Sequence, residues 1–346
     1  MHAIRRQFPS AHLTYIVEPA AAPVVAHNPH INELIVAPRR HGIAGFAGDV
    51  ALGRRLKEKQ FDLAIDFHGG PRASLLTWLS RARVRVGYEI AGRGWMYTMR
   101  VARPRELRRR HSVENQWDLL AAAGVATPPS RSEFPVEMPV GADAASAVAG
   151  RLAHAGLEAS QRLVVIHVSA GNPFRRWPFE SFVSLAVALV RGRADVCIVA
   201  TSGPSDADAA QRVIERARAT VDRDAARRLL SPGEFSLGEL RAVFERAALF
   251  IGGDSGPLHI AATSRVPIVG LYGPTLPVRS APWRAGAFIT EAVDAGELPC
   301  RPCDQRVCAP GDFRCLTRID ATVVLAAAGR ALGHTPGSVR SDSSPR

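Results

Sequence analysis

Short apolar runs alternate with segments of helical period twice along this chain, and that alternation constrains the fold more than any other feature. In the first series the runs 12–17, 33–36 and 61–66 read as buried strands, while 50–57 and 74–79 space apolar residues at helical intervals. Strands and helices in alternation imply a parallel sheet covered on both faces. From 126 to 139 the sequence turns to Pro, Ser and Thr without periodicity, the composition of a linker. The pattern then restarts: a helix over 142–155, strands at 163–168, 196–200, 249–251 and 268–271, and helices over 179–189, 207–218, about 237–247 and after Gly256. A chain of 346 residues exceeds what one hydrophobic core usually serves. The expected organisation is an α/β chain with an N-terminal Rossmann-like domain over 1–135, a linker and helix over 136–160, a C-terminal Rossmann-like domain over 161–318 and a C-terminal helix over 319–334. The last residues, 335–346, hold Ser, Pro, Gly and charge without apolar anchors and read as a disordered tail.

Composition narrows the function classes. Hydrophobic content of 47% with 22% charged residues is that of a globular protein, and no stretch nears the ~20 apolar residues of a membrane-spanning helix. Arg5 and Arg6 are not followed by an apolar core and a small-residue cleavage site, so a cytoplasmic home is expected. The net charge of +12 is unevenly placed: residues 1–131 carry 20 Lys+Arg against 10 Asp+Glu, and the remainder 24 against 22. Such a basic half suits a phosphorylated glycolipid, the membrane that carries it, or nucleic acid. Lys57 and Lys59 are the only lysines, so an Arg-rich composition is the plain alternative, but it does not account for the asymmetry. Basic residues are not interleaved with aromatics and no RNA-binding signature is present, which argues against nucleic acid.

Four loops carry the chemistry. In 250–262 an apolar strand ends in Gly252-Gly253, Asp254 and Ser255 offer N-cap chemistry, and a helix starts at Gly256. That arrangement aims free amides out of the carboxyl edge of a parallel sheet, where phosphates bind; the plain alternative is that Asp254 merely caps the helix. In Ser169-Ala170-Gly171-Asn172-Pro173-Phe174-Arg175-Arg176-Trp177, two arginines before a Pro-started helix can clamp a diphosphate, the alternative being a basic loop with Trp177 in the core. After the next strand, Asp206 offers a carboxylate to ribose hydroxyls, and Gly273-Pro274-Thr275 supplies a fourth loop. Four such loops on one edge make a nucleotide pocket. Separately, Cys300, Cys303, Cys308 and Cys315 crowd together while Cys197 sits in an apolar run. Four thiolates can close a structural metal site; the alternative is free thiols in a packed loop, and a reducing compartment argues against disulfides.

The combination resembles family 9 glycosyltransferases, the ADP-heptose:lipopolysaccharide heptosyltransferases, which have the GT-B fold of two Rossmann-like domains facing a cleft. The resemblance runs from Arg5-Arg6-Gln7-Phe8-Pro9 and Val17-Glu18-Pro19, through Asp66-Phe67-His68-Gly69-Gly70-Pro71-Arg72, to Ile319, and is most specific at Asp254 to His259 and at Gly273 to Thr275. It implies inverting transfer of a heptose from ADP-heptose to the inner core of lipopolysaccharide, with a lipid A–core acceptor, at the inner face of the inner membrane, and with no cofactor required. By resemblance, Ser169, Arg175, Asp254, Ser255, Gly256, His259 and Thr275 hold the donor, Asp206 matches the acidic residue on the adenosine ribose, and Arg72 lies on the acceptor side. Arg175 stands where the family usually has Lys, which alters the detail of phosphate contact.

The opening departs from the family. Members begin with a buried strand and a Gly-Asp-Val loop bearing the catalytic base, ahead of the helix that corresponds to 2–7; here that opening is absent, and a start codon placed too late is the expected reason. Gly48-Asp49-Val50 has the letters but precedes a different helix and inherits no role. The catalytic base is thus unassigned, with Asp66 and His68 as fallback candidates. The competing readings are a family 9 transferase for another sugar, an inactive nucleotide-sugar-binding protein, and a nucleotide-sugar epimerase on the same architecture.

Overall fold

The computed structural model describes residues 1–39, 41–103 and 110–333. The segment expected to be a disordered tail, 335–346, lies outside the described residues. The chain divides into two units between Ser130 and Arg131, inside the Pro, Ser and Thr stretch.

Unit 1 runs α1 (His2–Gln7), β1 (Thr14–Val17), α2 (Ala22–Val25), β2 (Glu33–Val36), α3 (Gly42–Glu58), β3 (Leu63–Ile65), α4 (Pro71–Leu79), β4 (Val84–Tyr88), β5 (Met99–Val101) and α5 (Ser112–Ala122). β1 pairs with β2 in parallel from Thr14 opposite Glu33 to Val17 opposite Val36. β3, β4 and β5 form a second parallel sheet in that order. The strands expected to be buried are only half buried: Ile16 is 38% and Val36 46% exposed. The reason is that sheets of two and three strands give each strand few neighbours and little helix cover, and the cluster inside the larger sheet is small, built on Val86, Tyr88 and Leu119. A second correction concerns Gly48-Asp49-Val50, which lies inside α3 rather than ahead of it.

Unit 2 runs α6 (Ala142–His154), β6 (Arg162–His167), α7 (Phe179–Gly192), β7 (Val196–Thr201), α8 (Ala209–Arg218), α9 (Arg223–Arg227), β8 (Leu229–Leu230), α10 (Leu237–Arg246), β9 (Ala247–Gly253), α11 (Gly256–Ala261), β10 (Ile268–Tyr272), α12 (Pro277–Ser280), β11 (Thr290–Asp294), α13 (Arg314–Thr317) and α14 (Ala321–Gly333). Its strands make one parallel sheet in the order β11-β10-β9-β6-β7-β8. β7 and β10 are buried along their whole length, which is why they read as continuous apolar runs. Alternate residues divide between the faces: Val164, Ile166 and Ile251 pack with α7, α8 and α14, whereas Phe250 on the opposite face meets Phe244 of α10 edge-on. The chain leaves β6 toward β7 and β8, then returns to β9, β10 and β11 on the other side. That reversal falls between β6 and β9, and the carboxyl ends of strands at such a switch point are the place where open α/β sheets bind ligands. Among the described residues, no helix is long and apolar enough to cross a membrane.

Candidate functional site

The loops after β6 and β9 meet at this reversal. A Cβ on Gly253 would come 2.9 Å from the backbone oxygen of Arg175, so only glycine admits this approach. The next residue, Asp254, is the hub. Its buried carboxylate accepts at Oδ2 from Thr275 Oγ1 at 2.7 Å and Ser280 Oγ at 3.1 Å, and pairs there with Arg175 Nη1 at 3.3 Å. At Oδ1 it faces His259 Nε2 at 3.6 Å, and its backbone oxygen accepts from Arg175 Nη1 at 3.1 Å. Burial pushes the Asp254 carboxyl up, but hydrogen bonds from His259 and Thr275 and the charge of Arg175 outweigh it and hold it below the usual carboxylate range. The acid is therefore ionised and orders two partners that reach solvent, since the side chains of Arg175 and His259 are 31% and 46% exposed. The capping reading of Asp254 fails: the N-cap of α11 is Ser255, and its hydroxyl donates to the Gly253 carbonyl instead of capping. Gly256 then opens the helix.

Around this hub the sequence-based candidates separate. Ser169 is buried; its Oγ accepts from Gly203 N–H at 2.7 Å and lies 3.4 Å from His167 Nε2, so it ties the loops after β6 and β7 together. Asp206 pairs with Arg212 at 3.1 Å and with Arg176 at 3.6 Å. The expected double-arginine clamp thus splits, with Arg175 turned to Asp254 and Arg176 to Asp206, because each guanidinium pairs with the acid on a different neighbouring loop. Trp177 packs in the core and donates to Ile319 O.

Three participants carried no usable signal in sequence: Ser280, Gln305 and His167. His167 ends β6 with Nδ1 3.0 Å from Thr201 Oγ1, and burial pushes its imidazole down to about 4, so it is neutral. A histidine closing a strand at the carboxyl edge was its only cue.

The cysteine-bearing segment lies against the same edge: Arg301 Nη2 donates to Thr275 O at 2.8 Å, and Cys303 N–H donates to Pro274 O at 3.3 Å. Cys300, Cys303, Cys308 and Cys315 are half-buried free thiols. Burial, then the neighbouring cysteines, push the Cys315 thiol up. Among the described residues, no three of these sulfurs lie within 4.8 Å of one another.

Within unit 1, Asp66 is buried after β3. Its Oδ1 accepts from His68 N–H at 2.9 Å and Gly69 N–H at 2.8 Å, and its Oδ2 from Tyr97 OH at 2.6 Å and Ser74 Oγ at 3.5 Å. Burial and this carboxylate push the Tyr97 phenol up, so it stays a donor. Gly69, at φ +69°, makes the turn possible. His68 is exposed and accepts at Nδ1 from Gly70 N–H at 3.1 Å. Arg72 donates to Ala37 O, Pro38 O and Asp49 Oδ1, and pairs with Glu18 at 3.6 Å.

The family model of glycosyltransferase family 9 (heptosyltransferase) matches the chain over residues 50–311. The chain belongs to this family. It is 27% identical over 311 residues to a lipopolysaccharide heptosyltransferase 3 of Escherichia coli, covering 88% of this chain and 86% of that one. A lipooligosaccharide heptosyltransferase 2 of Haemophilus ducreyi is 23% identical, covering 86% and 85%. Among solved structures, a family 9 enzyme of Veillonella parvula superposes with a TM-score of 0.77 at 24% identity, covering 95% of this chain and 90% of that one. The E. coli heptosyltransferase WaaC with ADP superposes at 0.64 and 18% identity, covering 95% and 94%. The fold is GT-B, and the chain is a glycosyltransferase of heptosyltransferase type.

Proposed function

We propose that this protein moves a heptose from ADP-heptose to the inner core of lipopolysaccharide, with inversion at the anomeric carbon. The observation that supports the donor is the buried Asp254 carboxylate ordering Arg175, His259 and Thr275 at the carboxyl edge of β9 and β10. A similar E. coli enzyme was solved with ADP. In the reaction, an acceptor hydroxyl oxygen attacks the anomeric carbon from the face opposite the diphosphate. The bond from that carbon to the phosphate oxygen breaks, ADP leaves with the electron pair, and the acceptor hydroxyl gives up its proton to solvent. Arg175 and His259 meet the charge that develops on the diphosphate, helped by the amides at Ser255 and Gly256, so the scheme needs no cofactor. Asp206 accepts from the adenosine ribose.

The acceptor falls to unit 1. Beside Arg39 and His41, Ile43 and Phe46 at the start of α3 are 90% and 64% exposed. The Arg39 guanidinium for phosphates beside apolar groups suits an anionic glycolipid presented at the cytoplasmic membrane surface, with Arg72 at the nearby loops. We assign the base to neither fallback candidate, Asp66 or His68. Both Asp66 oxygens accept from donors within unit 1, and His68 Nδ1 accepts from Gly70 N–H. Their work is to hold the loop after β3.

The test is ADP release from ADP-heptose in the presence of heptose-deficient lipopolysaccharide, together with calorimetric ADP binding. Asp254→Asn is expected to weaken ADP binding by roughly ten- to a hundredfold, the loss of one or two charge-assisted hydrogen bonds, without loss of folding. Unchanged binding, or ADP release that ignores the acceptor, would overturn the reading.

A further inference from the structure

The segment between β11 and α13 does more than house cysteines. Gln305 has φ 60°, the left-handed region that a residue with a side chain rarely adopts unless its surroundings hold it there. Its Oε1 accepts from Arg175 Nε at 2.7 Å and from Asn172 Nδ2 at 3.0 Å. Asn172 Oδ1 is itself engaged by Phe174 N–H, so Nδ2 is the donating end and both partners call for an oxygen on Gln305. Arg175 gives its Nη1 to Asp254. Two of the three guanidinium nitrogens are thus fixed by different elements, and Nη2 has no hydrogen-bond partner among the described residues. The same segment is anchored to the loop after β10 through Arg301, whose Nη2 also donates to Asp294 Oδ2 at 2.9 Å, and through Cys303 N–H. It therefore ties the loop after β6 to the loop after β10.

We propose that Gln305 is a positioning residue of the donor site, acting through Arg175. A planar guanidinium pinned along two edges presents its third edge in one orientation, so less side-chain freedom is lost when an anion arrives. The inference rests on the proposed donor reading for ADP, but its chemistry requires only a phosphate-bearing ligand.

The experiment is calorimetric binding of ADP, and separately of pyrophosphate, to the full chain as wild type, Gln305→Ala, Arg175→Ala and the double variant. Gln305→Ala is expected to weaken ADP binding roughly tenfold in the wild-type background and less than about twofold in the Arg175→Ala background, because the lost bond acts through the guanidinium. An equal loss in both backgrounds would show that Gln305 supports the loop as a whole and would overturn the proposal, as would wild-type affinity in Gln305→Ala. Wild type that binds pyrophosphate but not ADP would remove the donor reading and leave the cycle readable with pyrophosphate. Wild type that binds neither would overturn both.

Discussion

The two units solve the same construction problem differently. In unit 2 a continuous sheet of six parallel strands is buried on both faces along its inner strands, and the polar side chains of the candidate site gather where the strands end. In unit 1 the strands stand in separate sheets of two and three, half exposed, and much of the order comes from polar staples: Asp66 gathers four donors and Arg72 bridges the segments after β1 and β2 to α3. The lesson is that unit 2 is organised by apolar burial beneath its loops, while unit 1 depends on individual charges and hydrogen bonds.

Truncations probe that contrast most sharply. Ile251→Ala, at a fully buried position of β9, is expected to destabilise unit 2 by about 2–5 kcal/mol, whereas Ile16→Ala on half-exposed β1 costs under about 1 kcal/mol, both read by urea denaturation. Equal losses would break the comparison. Next in size, Asp66→Ala leaves two loop amides without their acceptor and the buried Tyr97 hydroxyl with Ser74 Oγ alone, and is expected to cost about 3 kcal/mol while leaving ADP binding unchanged. A matching fall in ADP affinity would mean that the loop after β3 serves the donor.

Acid should act on unit 2. His167 titrates at about 4 when folded and near 6.5 when unfolded, so below pH 6.5 the unfolded chain gains a proton that the folded one refuses. Stability is expected to fall by about 2 kcal/mol between pH 7 and pH 5, and His167→Gln should flatten that slope. Asp254 adds a loss further down: its carboxyl is depressed, so its contribution is full above the ordinary Asp value and disappears as pH falls through the folded one. A slope unaltered by His167→Gln would remove His167 as its source. A small effect is expected from Arg72→Ala, about 1 kcal/mol from partly exposed partners, measured as the shift of the unit 1 denaturation midpoint.

Legibility in sequence followed the same division. β6, β7, β9 and β10 were readable because burial on both faces demands unbroken apolar residues. β4 was not, because arginines at 81, 83 and 85 interrupt the run. The Arg85 guanidinium is tolerated there by donating to Met96 O and Ala82 O. At the site, Asp254 was visible as a donor-site candidate from its Gly-Gly-Asp-Ser-Gly setting, with helix capping the alternative, but the side chains that its carboxylate orders were not.

The alternation of apolar runs and the loop chemistry at their ends were enough to specify two α/β units, the parallel sheet of unit 2 and the edge where a phosphate-bearing ligand would bind. Those signals are local, written in periodicity and in glycines beside strand ends. Tertiary structure alone decided the partners: that Arg175 and Arg176 part company, that Asp66 is spent inside its own loop, and that Gln305 holds an arginine 130 residues away in the chain. Hydrogen bonds over such separations leave no periodic trace, because any polar residue at the right place in space could supply them.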